Sequence, residues 1–132
     1  MFRPLGHLPQ RFPEAAYDRV VERSDDGIVV ERDVRGDAEW AAGHFPGDPI
    51  LPGVLQLEAM IQAAVAFIGA DGPVDLIGLD RVRFRRAVRP GDCLRVEVRQ
   101  TRVRGPQRIV KGTAAVGDEP ACSATLRLFV SP

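Results

Sequence analysis

The chain has little of what many specialised sites are built from. It holds two cysteines, Cys93 and Cys122, far apart in segments that read as strands and with no CxxC pair, and two histidines, His7 and His44, neither at metal-ligand spacing. A disulfide framework and a metal site are therefore not expected. The thiols should be small buried hydrophobes in a reducing cytosol, and the protein cytoplasmic. The opening MFRPLGHLPQRFPE lacks a continuous apolar core and is broken by prolines, so no targeting segment is expected. Uninterrupted apolar runs are too short to favour a membrane span. Repeats, linkers and low-complexity tracts are missing too, which leaves one domain over 1–132.

Net charge is also lacking, because 18 Lys and Arg balance 18 Asp and Glu. The balance hides an uneven distribution. From Arg81 to Lys111, eleven basic residues stand against Asp92 and Glu97, and the rest of the chain carries the compensating acids. Two readings stay open: a surface for an anionic partner, or solvated strand faces, since arginine alternates with apolar residues in RVRFRR and LRVEVRQTRVR. Nucleic acid fits poorly, because the basic segment has little aromatic interleaving for base stacking. Hydrophobic residues at 45% and charged residues at 27% are ordinary for a globular domain.

What is present is concentrated between His44 and Gln62, HFPGDPILPGVLQLEAMIQ. A histidine precedes a loop rich in proline (Pro46, Pro49, Pro52) and glycine (Gly47, Gly53), and the loop runs into an apolar helix expected over Pro52 to Ala70. Such a helix would be about 28 Å long. From Val54 to Ile68 only Gln56, Glu58 and Gln62 interrupt the apolar residues, so the helix should be buried. A carboxyl group there needs a partner, a proton or a task. Gln62, four residues after Glu58, shares its face. Glu58 could simply be a satisfied core carboxyl; with His44 it could instead form an acid and base pair operating near neutral pH.

The remaining segments read as strands: Ala15 to Arg23, Gly27 to Gly36, Val74 to Val88, and three more separated by RPGD, RGPQ and GDEP. Asp37 to Gly43 could form a short helical turn that delivers the chain to His44, with Trp40 as a packing anchor. One long buried helix with a run of antiparallel strands points to an α+β domain whose antiparallel β-sheet wraps around the central helix.

HFPGDPILPGVLQLEAMIQAA resembles the active-site segment of the FabZ-type 3-hydroxyacyl-acyl carrier protein dehydratases of the FabA/FabZ-like hotdog family. LPQRFPEAAYDRV and GLDRVRFRRAVRPGDCLRVEV resemble that family's opening and later strand segments. The resemblance implies the hotdog fold and a homodimer with shared active sites, His44 from one subunit and Glu58 from the other, an arrangement that similar dehydratases often extend to a trimer of dimers. It implies dehydration of 3-hydroxyacyl-acyl carrier protein to the trans-2-enoyl form, in fatty acid or related lipid or polyketide synthesis, without a cofactor or metal.

His44 is then the base at C2, since an unperturbed imidazole with a pKa of ~6.5 is largely neutral at working pH. Glu58 protonates the leaving hydroxyl, burial disfavouring its charged form. The resemblance implies that the Gly53 N–H donates to the thioester carbonyl, that Gln62 orients Glu58, that Phe45 and Val54 shape the apolar site, and that the Ile50 carbonyl holds the second nitrogen of His44. The resemblance makes Arg81, Arg83, Arg85, Arg86 and Arg89 the dock for an acidic acyl carrier protein. By the same resemblance, Glu rather than Asp at position 58 implies dehydration without isomerisation. Gln10 and the Glu14 to Asp18 segment depart from the family's pattern and bear on chain length and assembly, not on the catalytic residues. Two other readings share the fold: a noncatalytic acyl-thioester-binding module and an acyl thioesterase.

Overall fold

The computed structural model describes residues 15–36 and 49–132. The opening segment with His7, Gln10 and Glu14, and the expected turn containing Trp40, lie outside the described residues. Six strands, β1 (Arg19–Arg23), β2 (Gly27–Asp33), β3 (Val74–Phe84), β4 (Cys93–Arg104), β5 (Gln107–Val116) and β6 (Glu119–Val130), form one antiparallel sheet in the order β1-β2-β4-β5-β6-β3. The helix α1 (Gly53–Ile68) lies across it.

The period-two pattern of β4 explains the layering. Leu94, Val96 and Val98 are buried beneath the helix, whereas Arg95, Glu97 and Arg99 are exposed on the other face. Ala59, Met60, Ala63 and Ala64 are fully buried, and their small side chains, Met60 apart, let α1 approach the sheet closely. Sequence sets both helix ends. Pro52 is the N-cap with extended ψ of 139°, and Gly69 ends the helix with φ of 61°, its N–H donating to the Val65 carbonyl. Arg23 supplies a second cap, its guanidinium donating to the Phe67 carbonyl at 2.8 Å and the Ala66 carbonyl at 3.3 Å. The helix is thus slightly shorter than expected at each end.

Other expectations shift for local reasons. β1 begins at Arg19 rather than Ala15, because the Ala16 N–H donates to Gln62 Oε1 at 2.9 Å and is held against α1. β2 ends at Asp33, after which the Val34 N–H donates to the Asp92 carbonyl and its own carbonyl accepts from Gly91. Cys93 is exposed rather than buried, since it precedes Leu94 and points to the opposite face. Cys122 is buried as expected. In β3 a bulge between Asp80 and Arg83, with Arg81 at φ of 54°, breaks the expected alternation, so Phe84 is 54% exposed.

Ion pairs run across the outer face of the sheet, and Arg95 and Arg99 of the basic stretch take part in them. Arg19 pairs with Glu31 at 2.9 Å and Asp33 at 2.8 Å, Arg99 with Glu97 at 3.2 Å, and Arg95 approaches Glu31 at 3.9 Å. Arg19 holds the Asp33 carboxyl below its ordinary pKa by hydrogen bonding. On β4, Arg95 and Arg99 thus have carboxylate neighbours on the solvated face. Among the described residues, no helix is long and apolar enough to cross a membrane.

Candidate active site

The amino end of α1 is anchored by a segment remote in sequence. The Leu51 N–H donates to the Val88 carbonyl at 2.7 Å, and both residues are buried. The chain after β3 is itself braced. Asp92 Oδ2 accepts from the Arg89 N–H at 2.9 Å and from Arg86 Nη2 at 3.2 Å, while Arg86 Nη1 donates to Glu119 at 2.9 Å. Arg86, read from sequence as part of a carrier-protein dock, therefore has intramolecular carboxylate partners. Arg81, Arg83, Arg85 and Arg89 are exposed.

Between these two segments lies a cleft of about 420 Å³, with Leu51, Gly53 and Gln56 on one side and Phe84, Arg85 and Arg86 on the other. Gly53 is the first residue of α1, where backbone N–H groups sit at the positive end of the helix dipole. Pro52 offers no side-chain cap and the first turn contains no acid. A Cβ on Gly53 would stand 2.5 Å from Phe84 Cε1, so the absent side chain is what admits the ring. The cleft is walled by apolar groups and rimmed by the Arg85 and Arg86 cations.

Glu58 is 8% exposed, a carboxyl group held within the helix–sheet core. Gln62 has its Oε1 engaged by the Ala16 N–H, a role that the i to i+4 spacing to Glu58 did not reveal. Val54 is 61% exposed in the single chain. His44 and Phe45 lie outside the described residues, as does the proposed contact of His44 with the Ile50 carbonyl. Sequence reasoning passed over Gln56 and Phe84. Gln56 was visible as a polar break in the apolar helix, but Phe84 carried no signal beyond its place in a strand.

A helix laid across a six-stranded antiparallel sheet is the hotdog arrangement. A chain of the dehydratase heterocomplex ApeI:P from Xenorhabdus doucetiae matches it with a TM-score of 0.75, over 90% of this chain and 86% of that one, at 20% identity. An uncharacterized protein, PH1136 from Pyrococcus horikoshii, gives 0.72 over 88% and 84%, at 18% identity. The sequence relatives are more specific. The 3-hydroxyacyl-[acyl-carrier-protein] dehydratase FabZ of Bacillus pumilus is 40% identical, with 95% of this chain and 91% of the relative covered. That of Verminephrobacter eiseniae is 42% identical, with 92% and 87% covered. Residues 20–117 match the ApeI-like family, described as ApeI dehydratase. The chain belongs to the FabZ- and ApeI-like family of hotdog dehydratases.

Proposed function

We propose that the protein eliminates water from 3-hydroxyacyl-acyl carrier protein to give the trans-2-enoyl thioester, in fatty acid or related lipid or polyketide synthesis in the cytoplasm. The observation that carries this reading is Glu58, a buried carboxyl on the core helix of a dehydratase-family chain, within the motif that also contains His44 and Gly53.

The reaction needs a base at C2, a donor for the developing oxyanion and a proton for the departing hydroxyl. His44 removes the C2 proton. The Gly53 N–H stabilises the thioester oxygen as negative charge develops there, aided by the helix dipole. Glu58 delivers the proton to the hydroxyl, which leaves as water. Val54 and Phe45 line the acyl side.

The functional unit in this reading is a homodimer with His44 and Glu58 contributed by different subunits. Support comes from β3, an edge strand with Ile77 46%, Leu79 39% and Phe84 54% exposed, and from the uncovered Val54. Pairing that edge with a second copy would satisfy its backbone groups and cover apolar surface. Arg81, Arg83, Arg85, Arg86 and Arg89 form the cationic surface that receives the acidic carrier protein, with Arg85 and Arg86 at the cleft itself.

The reverse reaction offers a simple test: hydration of a crotonyl thioester, followed by loss of its enoyl absorbance with a free-thiol assay in parallel. Hydration without thiol release supports the proposal. Thiol release without hydration identifies a thioesterase, and binding without either change identifies a noncatalytic module.

A further inference from the structure

The cleft at the start of α1 contains a polar group that the elimination chemistry does not use. Gln56 is 2% exposed, lines the cleft and has its Oε1 shielded from water, and no donor among the described residues reaches that oxygen. A buried carbonyl without a donor is destabilising until something supplies one.

Its place on the helix indicates which part of a thioester could do so. Gln56 follows Gly53 by three residues and shares its face of α1, whereas Glu58, two residues further, projects in another direction. The hydroxyl end of the substrate therefore belongs with Glu58, and the carbonyl and sulfur end with Gly53 and Gln56. Neither a thioester carbonyl nor a thioether-like sulfur has a proton to give. Beyond the sulfur, after an ethylene spacer, a pantetheine arm presents an amide N–H. The cleft suits a slender arm of this kind, with Leu51 and the Phe84 ring to cover its methylenes.

We infer that Gln56 is a substrate-binding residue whose Oε1 accepts a hydrogen bond from the amide N–H nearest the sulfur of the carrier's pantetheine arm. The inference rests on the acyl-carrier thioester reading of the site. Phe84, more than half exposed and packed against Gly53, is the wall that the arm displaces to reach the oxygen.

The test uses two saturated thioesters that cannot be dehydrated. One is S-butyryl-N-acetylcysteamine; the other replaces its amide N–H with an ester oxygen. Their affinities are measured by NMR titration with the wild-type protein, Gln56→Leu and Gln56→Met, each variant first shown to be folded. The wild type should bind the amide roughly five- to tenfold more tightly than the ester. Either folded variant should bind the two equally, at the ester's affinity. Equal binding by the wild type, an unchanged preference in a folded variant, or no binding of either compound overturns the inference. Failure of the dehydratase reading is separate: it appears as no turnover of 3-hydroxybutyryl thioester, while the amide preference remains measurable.

Discussion

Met60 and Gly112 meet where α1 crosses β5, and the contact depends on the glycine having no side chain. A Cβ at position 112 would stand 2.7 Å from Met60 Sδ and 3.1 Å from its Cγ. Met60 is fully buried, so its sulfur cannot swing into solvent. Gly112→Ala should destabilise the fold by about 1–3 kcal/mol through overpacking. Adding Met60→Ala should cost less in that background than in the wild type. Urea unfolding of the four proteins measures the coupling, and simple additivity would contradict the contact.

Arg23 closes the carboxyl end of the same helix from a neighbouring strand. Its two bonds to the Ala66 and Phe67 carbonyls are joined by a stacking contact, the guanidinium carbon lying 5.4 Å from the Phe67 ring centre. Arg23→Ala should cost about 1 kcal/mol, and Arg23→Lys should recover only part of it, because an ammonium keeps the charge but not the planar fork. Equal stability of all three proteins in thermal unfolding would rule out a capping role.

Asp92 and Glu119 both bind Arg86, yet their removal should differ. Asp92 is largely covered and also accepts the Arg89 N–H, whereas the Glu119 side chain is 74% exposed. Asp92→Ala should lower stability by about 1–2 kcal/mol. Glu119→Gln should change it by about 0.5 kcal/mol or less, since an exposed ion pair is weak. Equal effects in denaturant unfolding would contradict this ranking.

Burial pushes the Cys122 thiol up to about 11 from an ordinary value of 9.0. The native state thus favours the protonated thiol, and its stabilising contribution is complete below pH 9 and lost as the pH rises towards 11. The wild type should lose more stability across this window than Cys122→Ala, by parallel chemical denaturation. Parallel curves would show that the thiol does not contribute.

Those contacts mark where sequence patterns stop being informative. The apolar run from Val54 to Ile68 and the alternation Leu94–Val96–Val98 each report a single buried face, so helix, sheet and core were legible. Gly69, Gly105 and Gly117 mark ends and turns through their positive φ, which a side chain would oppose. The bulge at Arg81 was not legible, because a register shift depends on the partner strand. Nor was the commitment of Arg86 to Asp92 and Glu119, or the bond from the Ala16 N–H to Gln62 Oε1, since spacing along the chain identifies near neighbours but not partners remote in sequence. Glu58 stood out as a carboxyl in an apolar helix; Gln56 was visible as a polar break there, but a neutral amide is a less conspicuous burial problem.

The central claim is water elimination by His44 and Glu58. The most direct measurement is the mass of acyl carrier protein bearing a 3-hydroxybutyryl group, before and after incubation with the wild-type protein, His44→Ala and Glu58→Gln, each shown to be folded. The account predicts loss of one water with the acyl group still attached, and a rate lower by roughly 10²–10⁴-fold in each variant. An unchanged mass with the wild type across short, medium and long acyl chains, despite binding of the carrier protein, would contradict it.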